Sequence, residues 1–121
     1  MARILIMDDD EQVLAMLEQT LERKGYEVET AINGKEGLKR HRENPADLII
    51  TDLVMPEKEG LETIRELLKD SPDVKIIAIS GGGRVDPTGY LGTAKLLGAQ
   101  CVFAKPVDRK VLCDAIRDLL K

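Results

Sequence analysis

The sequence has no tryptophan and only three aromatic residues, Tyr26, Tyr90 and Phe103, so its core must be aliphatic. Cysteine is scarce as well. Cys101 and Cys113 lack metal-type spacing, which excludes a disulfide framework or a cysteine zinc site, and both read as reduced core residues of a cytosolic protein. No apolar run approaches the roughly 18 residues of a membrane span, and the amino terminus has no signal-peptide core. A cytoplasmic location with no membrane contact is therefore expected. There is no basic tract, and the net charge is −4, so nucleic acid is not an expected partner. Internal repeats, low-complexity segments and linkers are also missing, which leaves the 121 residues as one expected domain, 1–121.

What is present is a hydrophobic fraction of 43% cut into short runs. Ile4-Leu5-Ile6-Met7, Leu48-Ile49-Ile50, Ile76-Ile77-Ala78-Ile79 and Cys101-Val102-Phe103-Ala104 are the size of parallel strands buried on both faces. A more alternating stretch, Tyr26 to Thr30, reads as a strand nearer an edge. Helical patterns lie between the strands. One carries Val13, Leu14, Leu17 and Leu21 and stops at Gly25; a weak one follows Asn33-Gly34; another runs from Gly60 to Asp70 with Leu61, Ile64, Leu67 and Leu68 on one face. Asp86-Pro87 reads as the start of a short helix ending at Gly98, and a last helix begins near Asp108 with Val111, Leu112, Ala115, Ile116, Leu119 and Leu120 as its apolar residues. Strand and helix alternate, so the expected fold is α/β: a doubly wound, five-stranded parallel sheet, strand order 2-1-3-4-5, with about five helices.

In such a sheet the chemistry collects beyond the carboxyl ends of the strands. The ends here deliver Asp8 and Asp9, Asp52, Ser80, and Lys105. Three clustered carboxylates repel, at roughly 4 kcal/mol per pair ~4 Å apart at an effective dielectric of about 20, so a cation is required. Part-carboxylate, part-water oxygen sites suit Mg²⁺. Asp52 is then the candidate nucleophile, forming an aspartyl phosphate, with Ser80 donating a hydrogen bond to one phosphoryl oxygen and Lys105 a charge-assisted one to another. Taken singly, each of these residues is as easily a cap, a loop hydroxyl or a solvated lysine; the convergence of four strand ends is what carries the reading.

Ile4 to Glu11, then Leu48-Ile49-Ile50-Thr51-Asp52-Leu53-Val54-Met55-Pro56 with Gly60, Ile79-Ser80-Gly81 and Lys105-Pro106 together resemble the receiver domain of two-component response regulators, over essentially the whole chain. The resemblance implies a flavodoxin-like fold of the single-domain chemotaxis-regulator kind, with no output domain in this chain. It implies Asp52 as phosphoacceptor, Asp9 as a direct Mg²⁺ ligand, Asp8 as one acting mainly through water, and the Val54 carbonyl as the third protein ligand. Ser80 and Lys105 match the residues that contact the phosphoryl group, and Lys105-Pro106 matches a peptide that is typically cis. The implied partners are a sensor histidine kinase or histidine phosphotransfer protein and a downstream protein target. Asp10, one beyond the acidic pair, reads as a helix-start residue.

Val102 stands where the family usually carries Tyr or Phe, and Phe103 should face the other side of the sheet. Output is therefore expected to run through the Gly81-Gly82-Gly83 loop and the following short helix. Two other readings exist. In a haloacid-dehalogenase-type phosphatase, Asp8 and Asp10 would be the catalytic pair. A constitutive binding module of the same fold would need no such pocket.

Overall fold

The structure is a computed structural model that describes residues 2–53, 60–80, 94–95 and 97–121. The chain runs β1 (Arg3–Met7), α1 (Glu11–Arg23), β2 (Glu27–Ala31), α2 (Gly34–Glu43), β3 (Leu48–Asp52), α3 (Gly60–Asp70), β4 (Lys75–Ser80), β5 (Cys101–Ala104) and α4 (Arg109–Leu119). The five strands are parallel and ordered β2-β1-β3-β4-β5, as expected. Four helices are described in full, and Ala94, Lys95 and Leu97 carry helical backbone where another was expected. The Gly81-Gly82-Gly83 loop and the Asp86-Pro87 start lie outside the described residues. No helix among the described residues is long and apolar enough to cross a membrane.

The apolar runs are continuous because successive residues serve opposite faces. Leu5, Met7, Ile49, Ile76 and Ala78 pack with Leu38, Ile64 and Leu67 from α2 and α3. Ile4, Ile6, Leu48, Ile50, Ile77 and Ile79 pack with Leu14, Leu17, Leu21, Leu112 and Ile116 from α1 and α4. Val102 and Phe103 divide between the same two layers, so the phenyl ring does face away from the Val102 side.

Side-chain caps start three helices. Asp10 accepts from the Gln12 and Val13 N–H groups, Asn33 from Glu36, and Asp108 from Lys110 and Val111. Gly25, at φ 96°, and Gly98, at φ 126°, follow the helical segments in a conformation that a Cβ disfavours. β2 is an edge strand with two glutamates, held by Arg3 to Glu27 at 2.8 Å and by Arg40 to Glu29 at 2.9 Å, with Arg3 also paired to Glu29. His41 is buried; its Nδ1 accepts the Ala46 N–H at 3.0 Å and its Nε2 lies 2.9 Å from Ser71 Oγ, which ties α2 to the start of β3 and the end of α3.

Two expectations are corrected. Val111 is 49% exposed, because the inward stripe of α4 runs through Leu112 and Ile116 and leaves Val111 a third of a turn away. Cys101 and Cys113 are free but only partly buried, since β5 is an edge strand and Cys113 flanks the stripe.

Gly37 shows how tightly α2 lies on β1. A Cβ there would stand 1.9 Å from Met7 Sδ and 2.6 Å from Met7 Cγ, and Met7 is 1% exposed. Alanine would gain up to about 1 kcal/mol in helix propensity, whereas overpacking costs about 1–3 kcal/mol. Gly37→Ala is expected to lower stability by about 1–2 kcal/mol in urea unfolding, because the buried Met7 side chain must shift to admit the methyl group. A raised unfolding midpoint would contradict this packing.

Candidate functional site

The strand register brings the site together. Met7 pairs with Thr51, Asp52 with Ile79, and Ser80 with Ala104, so Asp8, Asp52, Ser80 and Lys105 finish neighbouring strands at one edge. The Lys105 N–H donates to the Ser80 carbonyl at 2.8 Å, which extends the ladder by one residue.

Asp8 is 2% exposed and Asp52 is 5% exposed. Asp8 Oδ1 accepts the Asp10 N–H at 2.9 Å, and Asp8 Oδ2 accepts from Lys105 Nζ at 2.9 Å. The same ammonium reaches Asp52 Oδ2 at 3.4 Å. Burial pulls the Lys105 pKa down, but its hydrogen bond to Asp8 and the charges of Asp52 and Asp8 outweigh that and hold it above the ordinary lysine value. Asp9 is exposed and completes the carboxylate group: Asp8, Asp9 and Asp52 each offer an oxygen, all within 4.8 Å of one another.

Among the described residues, one lysine faces three carboxylates, which leaves that set net negative. Each carboxylate pair at this separation repels by at most roughly 3–4 kcal/mol at an effective dielectric of about 20, and solvent screening lowers that most where the exposed Asp9 is a partner. Hard oxygen donors at this spacing fit a divalent cation of the Mg²⁺ type. Val54, whose carbonyl was an expected ligand, lies outside the described residues.

Ser80 is 2% exposed, and its Oγ is buried with no hydrogen-bond partner among the described residues. An unpartnered buried hydroxyl costs about 1–3 kcal/mol, so this one stands ready for an acceptor. Lys105-Pro106 is cis. Asp10 caps α1 and does not belong to the carboxylate group among the described residues.

One feature next to the site had no signal in the sequence. Val13, Met16, Leu17, Ile79, Pro106 and Val107 line a hollow of about 340 Å³ that reaches Lys105. Its walls come from α1, the end of β4 and the turn after β5, and each residue taken alone reads as core.

A profile of the response regulator receiver domain matches residues 4–117. Transcriptional regulatory protein GlrR of Escherichia coli (strain K12) is 35% identical over 120 residues, which are 99% of this chain and 26% of that protein; the chain thus spans about a quarter of its length. Chemotaxis protein CheY of Treponema pallidum (strain Nichols) is 33% identical over 122 residues, 98% of this chain and 83% of that protein. The crystal structure of a response regulator receiver domain protein from Clostridium thermocellum superposes with a TM-score of 0.90 at 34% identity, covering 98% of this chain and 94% of that one. Since the profile runs from β1 into α4 and the likeness holds in sequence and in fold, the chain belongs to the response regulator receiver domain family.

Proposed function

We propose that this domain is a cytoplasmic, phosphorylation-dependent switch of a two-component phosphorelay, and that Asp52 accepts the phosphoryl group from a phosphohistidine of a histidine kinase or phosphotransfer protein. The observation that carries this reading is a partly buried ammonium 3.4 Å from the buried Asp52 carboxylate, with the unpartnered hydroxyl of Ser80 buried at the end of the neighbouring strand. An Asp52 oxygen attacks phosphorus, the P–N bond breaks, and the electron pair leaves with the histidine nitrogen. Lys105 and Ser80 then hold phosphoryl oxygens, the first by charge and the second by hydrogen bond. Asp8, Asp9 and Asp52 would hold Mg²⁺, with the Val54 carbonyl as a further ligand, and the ion when bound neutralises charge on the transferring group. The apolar hollow beside Lys105 supports docking of the phosphodonor protein there. The domain turns over only its own acyl phosphate and signals through protein contacts.

The phosphatase reading pairs Asp8 with Asp10, yet the Asp10 carboxylate caps α1, accepting from the Gln12 and Val13 N–H groups, and is outside the carboxylate group among the described residues. Acetyl phosphate followed by borohydride reduction and peptide mapping separates the possibilities. The switch is marked at Asp52. A mark at Asp8 would establish the phosphatase instead, and no mark at all would establish a binding module.

Divalent dependence should reside in Asp9 and not in Asp10. Asp9→Ala is expected to weaken Mg²⁺ binding by at least about tenfold, because the ion loses a charged oxygen ligand. Asp10→Ala should leave that affinity nearly unchanged and cost about 1 kcal/mol of stability through the lost α1 cap. Equal Mg²⁺ losses in calorimetric titrations of the two variants would show that the acidic pair is misassigned.

A further inference from the structure

On a chain with net charge −4, one groove is strongly basic. It lies between the end of α1 and the outer side of α4, with a volume of about 730 Å³, and Arg23, Lys24, Arg109, Lys110 and Arg117 line it against a single carboxylate, Asp114. Tyr26 and Thr20 complete the lining that matters here. Arg117 is partly neutralised, by Asp114 at 3.3 Å and Asp118 at 4.0 Å. Arg23, Lys24, Arg109 and Lys110 make no ion pair among the described residues, whereas Arg3, Arg40 and Arg42 all do so elsewhere on the surface.

Helix electrostatics account for part of this cluster only. Arg23 occupies the last turn of α1, where the helix dipole favours a cation. Arg109 and Lys110 open α4, where the dipole disfavours one, and that first turn has no acidic residue. Their positions oppose local helix stability. The groove is also separate from the carboxylate pocket: α1 starts beside Asp8 and ends at Arg23, and its 13 residues span roughly 20 Å.

We propose that this groove binds a nucleotide-sized polyphosphate anion, a nucleoside di- or triphosphate. Guanidinium groups recognise phosphate oxygens bidentately, and three of them, from two helices, face one groove. The volume far exceeds a lone phosphate and lies within the range of small-ligand sites. The partly buried Tyr26 ring lies at the same groove, offering a surface on which a base can stack.

The test is calorimetric titration of the full chain with ATP and with GTP, in EDTA so that no divalent bridge forms at Asp52, at low salt. Saturable binding of at least one nucleotide at one site with Kd below about 1 mM is expected. Tripolyphosphate should bind several-fold more weakly, for lack of a base. Arg23→Gln with Arg109→Gln should weaken binding by roughly tenfold or more while leaving the thermal midpoint unchanged, since both side chains are exposed. Asp52→Asn should leave the affinity unaltered. The proposal is overturned by no saturable binding of either nucleotide at millimolar concentration, by equal affinity in the double variant, or by tripolyphosphate binding as tightly as ATP. An affinity for single-stranded oligonucleotide that exceeds that for ATP and grows with length would also overturn it, in favour of a nucleic-acid groove.

Discussion

Lys105→Met is expected to destabilise the domain by about 2–3 kcal/mol at neutral pH in divalent-free buffer, a fall in Tm of roughly 10 °C. The variant keeps much of the side-chain volume and removes the ammonium that lies 2.9 Å from Asp8 and 3.4 Å from Asp52. Both carboxylates are almost wholly buried, so each loses its contact with the ammonium without gaining water. Breaking a fully buried pair costs about 3–5 kcal/mol, and the figure here is smaller because the Lys105 side chain remains 22% exposed. The pH dependence has a definite sign. The folded Lys105 pKa is raised, so its contribution in the wild type is complete below the ordinary value of about 10.5 and is lost only as pH rises through the higher folded value. Urea unfolding at several pH values, with and without Mg²⁺, provides the check. A variant as stable as the wild type at pH 7 without Mg²⁺ would mean that the ammonium does not hold this pocket together.

Asp52→Asn is expected to reduce labelling by acetyl phosphate to background while the fold persists. The amide is isosteric with the carboxylate but lacks its nucleophilic charge, so no acyl phosphate forms. Two effects on stability oppose each other. The contact from Lys105 at 3.4 Å is weakened, and the repulsion of Asp52 by Asp8 and Asp9, whose oxygens lie within 4.8 Å, is relieved. Lys105 keeps its shorter contact to Asp8, so relief dominates and stability should be unchanged or higher, by up to about 1 kcal/mol. Intact-mass measurement after incubation with Mg²⁺ and acetyl phosphate reads the first effect, and urea unfolding the second. A persistent phosphoryl adduct would move the acceptor to another residue.

Much of the molecule was legible in the chain because its signals are local. Apolar runs of strand length, separated by helical spacing, give β1 to β5 and the helices between them. Asp10, Asn33 and Asp108 announce three helix starts, since a cap acts on N–H groups two or three residues away. Gly25 and Gly98 mark stops for an equally local reason, a positive φ. Even the grouping of Asp8, Asp52, Ser80 and Lys105 followed from residue order, once parallel strands and right-handed crossovers limited the topologies. Where the signal was weaker, the reading slipped. Val111 is apolar and near the α4 stripe, but its side of the helix is set by how the helix is rotated on the sheet. What the tertiary structure alone decided concerns distances between side chains from different elements. Lys105 reaches Asp8 more closely than Asp52, Ser80 Oγ ends up buried with no described partner, and five cations from α1, its C-cap and α4 share a groove on an acidic chain. The chain itself determined which residues lie at a strand end or on a helix face, through backbone periodicity. Which of them come within a few ångströms was left to strand register and helix docking, set by the packing of the whole core.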